Sequence, residues 1–77
     1  MEKDEWSKVK EFVKNNIGES AHTNWIQPIE LREIKGSVAK FKVPTRFIGT
    51  WVHRNYGDFI IQGFKNQKLS VNRLEFI

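Results

Sequence analysis

The chain has 77 residues, no cysteine, 39% hydrophobic residues and a formal net charge of +4. That length supports one domain spanning residues 1–77, near the size at which a single core becomes marginal, and the missing cysteines exclude disulfides and thiolate metal sites. The charged start Met1-Glu2-Lys3-Asp4-Glu5 and the lack of a long apolar run give no sign of a secretory signal or a membrane span, so a cytoplasmic location with no membrane partner is expected.

The first element is an amphipathic helix from about Asp4 to Ile17, with Trp6, Val9, Phe12, Val13 and Ile17 at helical spacing. Glu2, Asp4 and Glu5 crowd its start and Lys8, Lys10 and Lys14 follow, a distribution that suits the helix dipole. Gly18 is a natural stop. Trp6 stands in the first turn, at the end of the stripe, where full burial is hardest to arrange. It is therefore expected to stay partly exposed, either covered by a second copy of the chain or folded as a lid over the next helix. Ser20 is expected to cap a short helix, Ala21 to Ile26, with Trp25 and Ile26 as apolar anchors, Trp25 in the core, and His22 on its open side; Pro28 closes it.

A hairpin follows. Ile29 and Leu31 begin one strand, Lys35-Gly36 turn, and Val38 to Val43 return, with Ala39, Phe41 and Val43 alternating against Lys40 and Lys42. Pro44 ends the strand because it cannot donate to a sheet, and Thr45 is a good N-cap for the next helix. There Phe47, Ile48, Trp51, Val52 and Tyr56 form an apolar stripe, which places Ile48, Trp51 and Val52 in the core. Phe47 and Arg46, beside the corner, are the positions most able to stay exposed. Gly57-Asp58 should interrupt this helix, with Asp58 capping another that carries Phe59, Ile60, Ile61 and Phe64. Asn66-Gln67-Lys68 reads as a loop, and Leu69 to Ile77 as a third strand with a bulge at Asn72-Arg73. The expected class is α+β: a small three-stranded sheet covered by helices, in the order α-α-β-β-α-α-β.

Charge is unevenly placed. Residues 1–34 carry five Lys/Arg and seven Asp/Glu, and residues 35–77 carry eight and two. The second half thus offers either a basic face for nucleic acid or acidic protein, or an ordinary solvated surface. Catalytic patterns are absent: His22 and His53 lack ligand spacing, no serine lies in a nucleophile turn, and Asp58, Glu30 and Glu33 read as a cap and solvated strand residues. Neither an enzyme nor a cofactor is expected. The element order is similar to KH domains, which grip single strands through a Gly-x-x-Gly loop, but none of the five glycines makes that motif.

Three segments carry a further likeness: Trp25-Ile26-Gln27-Pro28-Ile29, Val43-Pro44-Thr45-Arg46-Phe47, and Trp51-Val52 followed by Tyr56. With the early helix that bears Trp6, their order and spacing resemble the N-terminal domain (domain I) of DnaA, the bacterial replication initiator, over nearly the whole chain. The resemblance implies a KH-like fold without the Gly-x-x-Gly loop. It also implies a protein-interaction role in which such domains self-associate and contact the replicative helicase DnaB and initiation regulators; some bind single-stranded DNA weakly. By position, Trp6 matches a self-association residue and Phe47 a helicase-contact residue. Ala21 departs from the pattern, standing where many members carry a glutamate just after the second helix's cap, which weakens a partner contact there. Single-stranded DNA is the second partner class, with Lys42, Arg46 and Arg54 as its contacts. The resemblance puts the initiator's ATPase and duplex-binding domains outside this chain, leaving an excised fragment and a stand-alone relative both open.

Overall fold

The structure, a computed structural model, describes residues 2–77, with side chains from Glu5 onward. Helix α1 spans Glu2–Ile17, and α2, Glu19–Ala21, runs directly into a π-helical segment, His22–Ile26. Strands β1 (Glu30–Lys35) and β2 (Val38–Lys42) are followed by α3 (Arg46–Asn66) and β3 (Arg73–Phe76). This is the expected α+β arrangement, with one helix where the sequence suggests two. No helix among the described residues is long and apolar enough to cross a membrane.

Helix α1 buries Trp6, Val9 and Val13, with Phe12 and Ile17 half-buried beside them. Lys14 lies in its last turn, as the dipole favours; the side chains of Glu2 and Asp4 lie outside the described residues. Gly18, at φ 93°, ends α1 and turns the chain straight into α2. Ser20 is consequently inside α2 rather than its cap, and no side-chain cap bond forms there.

The sheet order is β1-β2-β3. β1 and β2 form an antiparallel hairpin turned at Gly36, whose φ of 62° favours glycine. The register shifts between Leu31 and Glu33, an irregularity at Arg32 that the sequence does not suggest; at Asn72-Arg73, both N–H groups share the Ser37 carbonyl. β3 runs parallel to β2, a pairing that requires a long crossover, and α3 supplies it. The third strand is also shorter than expected. Lys68, at φ 63°, redirects the chain after α3, Val71 plugs into the core, and pairing starts only where the Asn72 and Arg73 N–H groups meet the Ser37 carbonyl.

Thr45 caps α3 as expected: its backbone is extended and its Oγ1 accepts from the Ile48 N–H at 3.2 Å. Gly57-Asp58 does not break the helix. Gly57 is buried, and a Cβ there would lie 3.8 Å from Leu74 Cδ1. Gly49 and Gly63 are buried on the same side; Cβ atoms there would come 3.0 Å from Phe76 Cβ and 2.8 Å from Val9 Cγ1. These glycines let α3 lie close on β3 and α1. That packing outweighs the helix cost of glycine, roughly 1 kcal/mol each. The core between helices and sheet is centred on Val9, Val13, Ile26, Phe41, Val52, Ile60, Phe64 and Val71, all fully buried.

Candidate interaction surface

The three tryptophans take places that the sequence does not suggest. Trp51, expected in the core, is 38% exposed. Helix α3 buries the side carrying Gly49, Val52, Ile60, Gly63 and Phe64, which turns Trp51 away from that face. The glycines carry the missed signal: on a helix that approaches its neighbours closely, they mark the buried side better than the large aromatics do. Trp51 stacks instead on Trp25, with ring centroids 5.0 Å apart and planes at 25°. Phe47, 65% exposed, completes the cluster at 6.0 Å from Trp25 and 6.3 Å from Trp51. Trp25 is half-buried and comes from the π-helical segment, whose next residue, Ile26, is fully buried. The Thr45 cap fixes where α3 begins and so places Phe47 in its first turn, one helical turn before Trp51. The result is an apolar outcrop made by two elements. Ala21 is half-buried and stands one turn before Trp25 on the same continuous segment.

Trp6 has the opposite fate. Expected at a half-open helix end, it is only 6% exposed. α1 begins at Glu2, so Trp6 has a full turn of helix before it. Its ring lies 4.8 Å from Phe41 and is stacked on Phe64 at 6.0 Å, linking α1 to β2 and α3. Lys10 Nζ covers it from outside, 5.9 Å from the centroid. What remains of its edge lines a shallow concavity of about 470 Å³ with Lys10, Gln27, Pro28 and Ile29.

Of the three basic residues that the sequence singles out, the structure brings two together. Arg46 and Arg54 line one groove of about 620 Å³ between α3 and β3, with His53 between them in sequence. Lys42 is exposed at the end of β2 and alternates with the buried Phe41, so it stands on the other face of the sheet.

His22, expected on the open side of its helix, is half-buried, and its Nε2 has no hydrogen-bond partner. Burial first, then the positive charges of Lys14 and Lys10, hold its pKa below the ordinary 6.5.

A two-helix lead, a hairpin, a glycine-lined crossover helix and a parallel third strand, with an aromatic outcrop at the head of α3, define a small α+β domain of the surface-presenting kind. The family model of the DnaA N-terminal domain matches residues 3–66, and the chain belongs to that family. Its relatives include proteins named chromosomal replication initiator protein DnaA. That of Roseobacter denitrificans is 34% identical over 76 residues, covering 99% of this chain and 17% of the relative. The Ruegeria sp. protein is 37% identical over 76 residues, covering 99% of this chain and 16% of the relative. That of Cereibacter sphaeroides is 37% identical over 76 residues, covering 99% of this chain and 17% of the relative. The chain thus spans about one-sixth of the length of the curated relatives it matches.

Proposed function

We propose that this chain is a protein-interaction and oligomerisation module of chromosomal replication initiation, one that binds the replicative helicase DnaB and initiation regulators and associates with itself. The observation that carries the helicase reading is Phe47. It is 65% exposed at the head of α3 and lies against a stacked pair of tryptophans, in a family whose relatives are named as replication initiators. An aromatic anchor braced by other aromatics is what interface hot spots look like, because little entropy is lost when a partner covers it. Ala21, one turn before Trp25 on the same segment, offers only a methyl group, so the binding energy rests on the aromatic cluster.

Surface plasmon resonance against purified helicase tests this reading. Phe47→Ala is expected to weaken binding by about tenfold or more, as hot-spot truncations do, while the melting temperature stays close to that of the unmodified chain. Loss of binding and of stability together would make Phe47 a structural residue.

Self-association through α1 is proposed at the concavity floored by the edge of Trp6. With the ring itself buried, its role there is to hold Lys10 and the Gln27–Ile29 stretch in place. Lys10→Glu with Gln27→Glu should move sedimentation-equilibrium masses towards the monomer at high concentration. Unchanged masses would remove this site. For single-stranded DNA, the supporting feature is reduced to Arg46 and Arg54, which share one groove.

A further inference from the structure

The groove between α3 and β3 lies on a different side of α3 from the aromatic outcrop. Arg46, Thr50, His53 and Arg54 fall at i, i+4, i+7 and i+8, one stripe of the helix. Phe47 and Trp51 lie roughly 100° further round. The stripe forms one wall, and Leu74 and Phe76 of β3 give an apolar floor. No aspartate or glutamate side chain lines it.

β3 is an edge strand, since the sheet order is β1-β2-β3. The Arg73 N–H donates to the Ser37 carbonyl and the Ile77 N–H to the Phe41 carbonyl, so these alternate residues bond inward to β2 and its flank. In a parallel strand each residue directs its N–H and C=O to the same side. The backbone groups of Leu74 and Phe76 therefore point to the open edge.

We infer that this groove docks an extended acidic peptide segment, which adds as a strand to the open edge of β3 and places its carboxylates on Arg46 and Arg54. Strand addition supplies main-chain hydrogen bonds. Leu74 and Phe76 face α3, so the alternate residues of the added strand that lie in register with them also face α3 and carry the carboxylates to Arg46 and Arg54, while the intervening apolar residues lie on the other face of the sheet. Arginine pairs with carboxylates bidentately, which suits it to this role. A nucleic-acid strand fits less well, because sequence-tolerant single-strand binding needs open aromatic faces. The one aromatic floor residue, Phe76, has a face against Phe41 at 5.4 Å and the His53 ring set edge-on at 5.9 Å.

The test is an NMR titration of the ¹⁵N-labelled chain with a short, capped peptide of alternating glutamate and leucine. A lysine–leucine peptide and an oligothymidylate are run in parallel. Shifts from the acidic peptide should gather on the head of α3's groove wall and on β3, weaken with added salt, and be accompanied by slowed exchange of the Leu74 and Phe76 amides. The double substitution Arg46→Glu, Arg54→Glu should keep the dispersed spectrum and lose at least about tenfold in affinity, as expected when charged partners become repulsive. Phe47→Ala should leave peptide binding intact, which separates this site from the helicase contact. Four results overturn the assignment: no binding of the acidic peptide, equal binding of the lysine–leucine peptide, tighter binding of oligothymidylate at the same residues, or loss of peptide binding in Phe47→Ala.

Discussion

Trp6 and Trp51 make an instructive pair. Each stands on a helix among apolar neighbours, and each occupies the environment that its place in the sequence suggests for the other. Trp6 lies near the start of α1 yet is 6% exposed between Phe41 and Phe64; Trp51 lies well inside α3 yet is 38% exposed against Trp25. The difference comes from the partners. α1 has one packing face, and Val9 meets Gly63 there, so the helices approach closely and whatever continues the Val9–Val13 stripe is drawn inside. α3 packs on β3, on Phe41 of β2 and on α1 through its glycine-bearing side, so its bulky Phe47–Trp51 side is left over. An aromatic residue is thus core or outcrop according to what faces it, and its own hydrophobicity does not decide.

The largest expected effect tests that contrast directly. Trp6→Ala removes a ring packed against two phenylalanines and should cost roughly 3–5 kcal/mol. A domain of this size has little more to lose, so the variant should be largely unfolded by circular dichroism and urea titration. Trp51→Ala should keep the fold and lose about 1 kcal/mol, the scale of one aromatic stacking contact plus partial burial. If the two variants melted alike, the assignment of one ring to the core and the other to the surface would be wrong.

The glycines of α3 sharpen the same comparison. Gly63→Ala would place a Cβ 2.8 Å from Val9 Cγ1, a stiff β-branched side chain in the core, so α1 and α3 must move apart. The clash, about 1–3 kcal/mol, outweighs the helix-propensity gain, and a lower urea midpoint is expected. Gly57→Ala meets only Leu74 Cδ1 at 3.8 Å, an ordinary contact. It should gain about 0.4–1 kcal/mol from helix propensity and a less flexible unfolded chain. Opposite signs at two buried glycines of one helix would establish that the α1 crossing requires glycine at 63 while the contact with Leu74 does not require it at 57. A stabilised Gly63→Ala would contradict it.

Much of this was legible beforehand, because it depends on neighbours in sequence. The Pro44-Thr45 corner, the turn at Gly36, the alternation through Phe41 and the stripe of α1 are all local patterns, and each element stands where those patterns place it. What was illegible depends on distant residues. Gly57 reads as a breaker until Leu74 is brought against it. The start of β3 waits on the Ser37 carbonyl, and the bulge at Arg32 arises from pairing with β2. The candidate surface follows the same division: Phe47's exposure follows from its place after the corner, whereas its bracing by Trp25 and Trp51 needs the π-helical segment and α3 to meet.

The smallest expected effect concerns pH and the junction between these regions, where His22 opens the π-helical segment that carries Trp25. Its Nε2 is unpartnered, and burial, with Lys14 and Lys10 adding to it, lowers its pKa from 6.5. A lowered histidine pKa means that the folded state holds the proton less tightly than the unfolded chain does. Between 6.5 and the lower folded value, the unfolded state carries more protons, so stability rises with pH across that window. The contribution is present above 6.5 and fades as pH falls through the folded value. Other groups titrate over the same range, so the informative quantity is the difference from His22→Gln, which keeps a polar side chain without the titration. The urea midpoint of the unmodified chain should fall more steeply from pH 7 to pH 5 than that of His22→Gln. Trp fluorescence should report the same difference, because the π-helical segment that His22 opens also carries Trp25. Parallel slopes for the two proteins would mean that His22 is solvated in both protonation states, and that the π-helical segment holds Trp25 against Trp51 without regard to its charge.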